Sequence, residues 1–339
     1  KEEALKWYLR LAQAGDVGRM VFVANCYFLG EGVEKNQKLA VDWFTAASEK
    51  GDTKAQVTLG DCHFQGHGCE KDHKKAVFCY HKAAEAGDAA GQTSLAECFL
   101  NGLGVKKSKK TAFKWYKKAA KQGFALAQSA LGDSYAYGEG VKADTVKALK
   151  WYEKAAEHGI VESEIALAEI YYNGDGGVKQ DAKKAFEFAN RAADKGHQLG
   201  QNLLGDCYFE GIGVKQDMKK AFSLFVLSAE QGNTGAMNNL GSCYDEGLGV
   251  AQDSTKAFKW FKKAAEKGNA EAQNNLGSCY YDGVGVKKNL KAAAKWFRKS
   301  ASQGHEDALH GLELCKQVQK QSSKRSIDSK KQDTTSGNT

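Results

Sequence analysis

The chain has 339 residues, 37 of them glycine and none proline, with 42% hydrophobic residues, 27% charged residues and a formal charge of +8. Length alone predicts two or three compact domains unless the chain repeats. The composition excludes collagen-like and proline-rich arrays. The apolar runs fall far short of the roughly 20 residues that cross a bilayer, so no membrane insertion is expected. No basic-then-apolar leader opens the chain.

In chain order, residues 1–15 read as one helix closed by Gly15. They match the second helix of the unit that follows, without its partner, so the chain is expected to begin inside a longer array. From there the glycines lie on a lattice. Gly15, Gly51, Gly87, Gly123, Gly159, Gly196, Gly232, Gly268 and Gly304 stand 36 residues apart, with one step of 37. A paired column from Gly30/Gly32 to Gly283/Gly285 keeps the same period, and the extra residue falls in Gly174-Asp175-Gly176-Gly177. A sustained period of this size is the signature of a solenoid. The expected fold is all-α, about eight to nine 36-residue helix-turn-helix repeats over residues 1–318.

Each unit reads as two helices. Helix A, as in residues 52–65, sets Ala55, Leu59, Cys62 and His63 on one face and ends at Gly-x-Gly, where a left-handed residue satisfies the last carbonyls. Helix B follows Asn36, Asp72, Ser108, Asp144, Asp181, Asp217, Asp253 or Asn289, all good N-caps at one repeat position. It carries Ala-x-x-Trp-x-x-Lys-Ala-Ala. All six tryptophans (Trp7, Trp43, Trp115, Trp151, Trp260, Trp296) share one position, with Cys79, Phe188 and Phe225 standing for them elsewhere. One large residue per repeat predicts a packing wedge rather than a ligand box. Residues 305–318 read as an A-type capping helix with Leu309, Leu312 and Cys315 apolar among charges, and 319–339 have so little to bury that disorder is expected.

Units such as Ala272-Gln-Asn-Asn-Leu-Gly-Ser-Cys-Tyr-Tyr-Asp-Gly-Val-Gly-Val286, followed by Lys291-Ala-Ala-Ala-Lys-Trp-Phe-Arg-Lys-Ser-Ala301, resemble the Sel-one-like repeat (SLR) family. That family is related to the tetratricopeptide repeats, with a longer unit and a Gly-x-Gly-Val loop. The resemblance covers about residues 1–318. It implies a right-handed α/α superhelix with the A helices on the concave side, acting as a non-enzymatic adaptor or scaffold for a protein or peptide partner. It leaves open a regulatory region of a larger kinase-type signalling or quality-control protein, and a hydrolase of the β-lactam-binding repeat type.

Little in the sequence points to catalysis. The Gly-x-Gly pairs lack the third glycine and the strand of a dinucleotide site, and no phosphate-loop Gly-Lys-Ser/Thr occurs. Ser-x-x-Lys is absent, and His305-Glu306 is followed by His310, one residue too far for a zinc-protease helix. No cofactor is expected. The local group Cys62, His63, His67, Cys69, His73, Cys79 and His81 has no familiar zinc spacing, and most of its members fill repeat columns, so it is read as structural. Seven cysteines (Cys26, Cys62, Cys98, Cys207, Cys243, Cys279, Cys315) form one column. Neighbouring helices pack 8–10 Å apart, beyond the about 7 Å reach of a disulfide, so these are expected to be small buried residues. With no Asn-x-Ser/Thr acceptor either, a reducing, cytoplasmic setting is favoured over the endoplasmic reticulum lumen or secretion.

Charge separates the two helix types. The A segments 52–65, 88–101, 124–137, 160–173, 197–210, 233–246 and 269–282 carry a net −13 with Lys54 as their one basic residue, which leaves +21 elsewhere. Five successive A helices place an acid at one position: Asp61, Glu97, Asp133, Glu169 and Asp206. Three residues on, along the same face, lie Phe64, Leu100, Ala136, Tyr172 and Phe209. About one turn ahead of the acid position come polar groups, Asn202 and, in later repeats, Asn238 and Asn274. Carboxylates alternating with rings fit an extended or helical peptide carrying Lys or Arg, so the expected partner is a basic peptide or protein. Solvated acids with rings packed between repeats would satisfy the same pattern. Nucleic acid is the less favoured partner, because the alternating Lys and Glu of helix B reads as a solvated face.

Overall fold

A computed structural model describes residues 2–174 and 176–318; the tail expected to be disordered, 319–339, lies outside the described residues. Helices alternate throughout, and no strand occurs among the described residues. The B helices are Glu2–Gln13 (α1), Gln37–Glu49 (α3), His73–Glu85 (α5), Lys109–Lys121 (α7), Thr145–Glu157 (α9), Ala182–Asp194 (α11), Met218–Glu230 (α13), Ser254–Glu266 (α15) and Leu290–Ala301 (α17). The A helices are Val17–Leu29 (α2), Thr53–Gln65 (α4), Ala89–Asn101 (α6), Ala125–Tyr137 (α8), Val161–Asn173 (α10), Gln198–Glu210 (α12), Thr234–Glu246 (α14), Ala270–Asp282 (α16) and 306–318 (α18).

The residues group into two compact units. One holds the chain up to Leu167 with Gly174–Lys179; the other holds Ala168–Asn173 with the chain from Gln180 onward. Within each, the two helices of a repeat pack as a pair, as α4 on α5 and α14 on α15. B helices also pack on the next A helix, as α5 on α6 and α15 on α16.

Helix ends follow the local chemistry. All eight expected caps accept a backbone N–H at the start of a B helix, for instance Asn36 from Leu39 at 3.0 Å and Asp144 from Lys147 at 2.9 Å. Asp16, Asp52, Asp88, Asn233 and Asn269 do the same for A helices. Gly66, at φ +83°, closes α4 with its N–H donating to the Cys62 carbonyl at 2.8 Å. Gly68 has a second reason to be glycine, since a Cβ there would overlap the Gln37 carbonyl at the start of α3. The loop of one repeat therefore lies on the helix start of the repeat before it.

The wedge is not the tryptophan. Trp43, Trp115, Trp151, Trp260 and Trp296 are half-buried and Trp7 is 62% exposed, whereas the next residue in each later repeat is buried: Phe44, Tyr116, Tyr152, Phe261 and Phe297. Tyr80 and Phe225 belong to that buried column, so Leu224, not Phe225, holds the tryptophan place in its repeat. Five of the buried rings lie on glycines of the facing A helix. A Cβ at Gly277 would come 2.7 Å from Phe297, and Gly60, Gly132, Gly205 and Gly241 are equally tight against Tyr80, Tyr152, Phe225 and Phe261. The capping helix buries Ala308, Gly311 and Cys315 rather than Leu309, which is 60% exposed.

A buried amide column ties consecutive helices. Gln56, Gln92, Gln128 and Gln273 donate Nε2 to Ser48, Ala84, Ala120 and Ala265 carbonyls, 3.1–3.5 Å away at the ends of the preceding B helices. In three repeats a glutamine just after helix B then donates to the glutamine on helix A of the same repeat: Gln122 to Gln92 Oε1, Gln231 to Gln201 Oε1 and Gln303 to Gln273 Oε1, at 2.8–2.9 Å. Where Ala86 and His158 stand instead, Gln56 Oε1 and Gln128 Oε1 are buried without a hydrogen-bond partner.

Candidate partner-binding face

Each ladder acid sits on the second turn from the end of an A helix, a place the helix start and the closing glycine fix. In the first unit Asp61, Glu97 and Asp133 are open to solvent yet ringed by protein atoms, and that partial burial raises all three pKa values. The Tyr80 hydroxyl donates to Asp61 Oδ1 at 2.7 Å, and Tyr152 to Asp133 Oδ1 at 2.7 Å, which oppose the rise. Glu97 is pushed up further by the Asp61 charge one repeat before it. Tyr80 and Tyr116 are raised in turn, first by burial and then by the carboxylates beside them.

In the second unit Glu169 is open to solvent and raised by burial. Asp206 is half-buried and pushed up to about 7, by burial first and by the Glu210 charge second. Its repeat carries Phe225 where Asp61 and Asp133 have a tyrosine, and amides replace the missing hydroxyl. Asn202 donates to Asp206 Oδ2 and Asn239 to Oδ1, both at 2.9 Å. Where the acid position becomes Ser242 and Ser278, a pocket of about 190 Å³ opens, with Asn275 on its wall and the carboxylates of Asp245, Glu246 and Asp282 around it.

The remaining residues expected at this face divide. Phe64, Tyr172 and Phe209 are half-buried: Phe64 meets the His73 ring at 4.8 Å, Phe209 lies 6.4 Å from Phe225, and the Tyr172 hydroxyl bonds Glu210. Their rings pack into the repeats and present an edge rather than a free face. Leu100, Ala136 and Asn274 are half-buried too. Asn238 is 2% exposed and accepts a bond from Asn275 at 3.0 Å, so it is an interior residue and not a contact for a partner. Sequence reasoning missed Tyr80, Tyr152, Asn239 and Glu210. The tyrosines had a signal, a fixed offset of 19 residues from their acids.

The cysteine column is buried and its thiols are free, with burial pushing Cys62 and Cys207 up to about 12 and Cys243 to about 11. Cys69 lies 3.3 Å from His63 Nδ1, but no group of three potential metal ligands converges among the described residues. No helix among them is long and apolar enough to cross a membrane.

The Sel1 repeat pattern matches nine consecutive segments, residues 1–16, 20–52, 53–88, 89–124, 125–160, 161–197, 198–233, 234–269 and 270–305. The chain belongs to the Sel1 repeat family. Its Sel1 repeats run in the same register as the helix pairs above. It is similar to c5321, a protective antigen of uropathogenic Escherichia coli with an SLR fold, at 38% identity over 91% of this chain with a TM-score of 0.78; the match spans 66% of that protein, just under two thirds. It is also similar to a Sel1 repeat protein from Oxalobacter formigenes, at 28% identity over 91% of this chain and 89% of that one, with a TM-score of 0.64. A signal-transduction ATPase with a tetratricopeptide repeat sensor from Pyrococcus horikoshii shares the fold alone, at 14% identity over 89% of this chain and 50% of that one and a TM-score of 0.51. No curated protein matches the chain. An all-α Sel1 solenoid is a repeat scaffold, a fold suited to holding protein partners.

Proposed function

We propose that the chain is a non-enzymatic scaffold that binds a basic peptide along the carboxylate face of its A helices. One observation carries the reading: an acid recurs at one place in successive repeats, open to solvent at Asp61, Glu97, Asp133 and Glu169 and half-buried at Asp206, and held throughout in surroundings that disfavour its charge. A cationic side chain laid against such a carboxylate relieves that penalty, and the exchange is stronger there than at an isolated surface ion pair. Within the second unit, the acidic pocket beside Ser242 and Ser278 offers the same chemistry to a Lys or Arg of its own.

The spacing guides the choice of probe. One carboxylate per repeat calls for regularly spaced cations, and in an extended chain that advances about 3.3 Å per residue a lysine at every third residue, about 10 Å apart, is the spacing to try first. The test is fluorescence anisotropy with a labelled peptide of repeated Lys-Ala-Ser, against a Glu-Ala-Ser control. The triple variant Asp61→Asn, Glu97→Gln, Asp133→Asn should bind the lysine peptide at least about tenfold more weakly, a difference near 1.4 kcal/mol. Unchanged affinity, or equal binding of the two peptides by the parent chain, would remove the electrostatic role.

A further inference from the structure

The B helices carry a repeated face of their own. The ring at the tryptophan place is covered by a cation one turn on: Lys118 over Trp115 at 4.1 Å, Lys154 over Trp151 at 4.6 Å, Lys263 over Trp260 at 4.2 Å, Lys299 over Trp296 at 4.5 Å and Arg191 over Phe188 at 5.3 Å. On its other side this ring can meet the A-helix tyrosine of the same repeat. Phe188 stacks on Tyr171, with centroids 6.1 Å apart and planes 5° from parallel.

Helix α13 breaks the pattern twice. Leu224 stands at the ring's place, and Leu227, 49% exposed, stands at the cation's. Tyr208, the counterpart of Tyr171, keeps its lysine, with Lys220 at 4.9 Å from the ring, and meets Phe186 edge-on at 5.6 Å. It has no stacked ring where Phe188 lies on Tyr171. A pocket of about 460 Å³ opens there within the second unit, with Leu204, Tyr208 and Leu224 as its apolar wall and Lys219, Lys220 and Asp217 at its edge, two cations to one acid.

We infer that this pocket receives an aromatic side chain, tryptophan or phenylalanine, from a partner protein that carries acidic residues beside it. The repeats themselves indicate the shape that fits: one repeat earlier Phe188 stacks on Tyr171 at the equivalent place, and one repeat later the column holds Trp260. Charge indicates the flanks. Lys219 has no ion pair among the described residues, and Lys220 reaches Asp217 only at 3.9 Å. Leu227 extends the apolar surface by one turn, so a bound ring would be covered where the other repeats use lysine. This surface selects a partner of opposite charge to the one the A helices fit. It lies on a different helix face and stands or falls independently of it.

The experiment is anisotropy with the full chain and two labelled peptides, Asp-Asp-Trp-Asp-Asp and the same peptide with alanine for tryptophan. The tryptophan peptide should bind with a Kd of about 100 µM or tighter, and the alanine peptide at least about tenfold more weakly. Leu224→Trp with Leu227→Lys restores the pattern of the other repeats, and should cost about tenfold in affinity while the helical circular dichroism and melting temperature stay put. Leu227→Asp, on the exposed rim, should weaken binding without touching the core, and covers the case in which the double variant misfolds. Equal binding of the two peptides, no binding by the parent chain at about 1 mM, or unchanged binding by the variants would overturn the inference. So would a preference for a single-stranded oligonucleotide over the acidic peptide.

Discussion

Gln56 offers a clean test of how the repeats are tied together. Its Oε1 is buried and unpartnered beside Ala86, whereas the equivalent Gln201 Oε1 accepts from Gln231 at 2.8 Å. The same Gln231 amide also reaches the Gly196 carbonyl at 2.9 Å. Ala86 has φ −71° and ψ −2°, and Gln231 has φ −79° and ψ −5°, so the backbone at 86 already suits a glutamine. Ala86→Gln should place an amide within reach of Gln56 Oε1 and the Gly51 carbonyl. Satisfying a buried acceptor recovers about 1–3 kcal/mol, and ordering an exposed glutamine costs up to about 1.5 kcal/mol, so a net gain of about 1 kcal/mol is expected. Urea unfolding followed by circular dichroism would read it, in a cycle with Gln56→Leu. The gain should vanish in the Gln56→Leu background. An equal gain in both backgrounds, or none in either, would refute the amide-bridge reasoning.

Asp206 sets a pH dependence. Its carboxyl titrates at about 7 in the folded chain against an ordinary 3.8, so between those values the folded state holds more protons than the unfolded one. Stability should therefore fall as pH rises from about 4 to 7, by up to about 4 kcal/mol, and Asp206→Asn should flatten that slope in melts across the range. Gly277→Ala pushes a Cβ into Phe297 and should lower the urea midpoint by an amount worth about 1–3 kcal/mol, whereas Gly18→Ala, whose nearest neighbour is 3.5 Å away, should leave it unchanged or raise it. Cys69, the half-exposed thiol, should be the first cysteine labelled by a thiol reagent, with the buried column reacting only on unfolding, as read by peptide mass spectrometry.

The fold was legible because its signals are local. A glycine after a helix and an Asp, Asn or Ser before one act within a few residues, and repetition of each signal removes chance. Packing was harder to read. Trp and the Phe or Tyr beside it are both large, and only the glycine they face tells which one is inside: Gly241 lies under Phe261, not Trp260. Once that column is placed, Phe225 moves to it and Leu224 becomes the odd residue. The acids Asp61 and Asp133 were found from spacing, but their environment depends on Tyr80 and Tyr152 from the next helix, which periodicity within one helix does not reveal. Asn238 shows the same limit: one residue separates an inward amide from Asn239, which reaches Asp206.

The loop glycine and the amide bridge also give the chain a set of mechanical seams. From Gly68 to Gly285 the loop glycine rests on the previous helix start, but the bridges are those of Gln122, Gln231 and Gln303, and beside Ala86 and His158 the missing glutamine leaves a buried amide oxygen unpartnered. Stretched in an optical trap, the chain should yield first at those two seams. Each repeat that opens would release 36 residues, roughly 120–130 Å of contour, so the spacing between rips would measure the repeat directly.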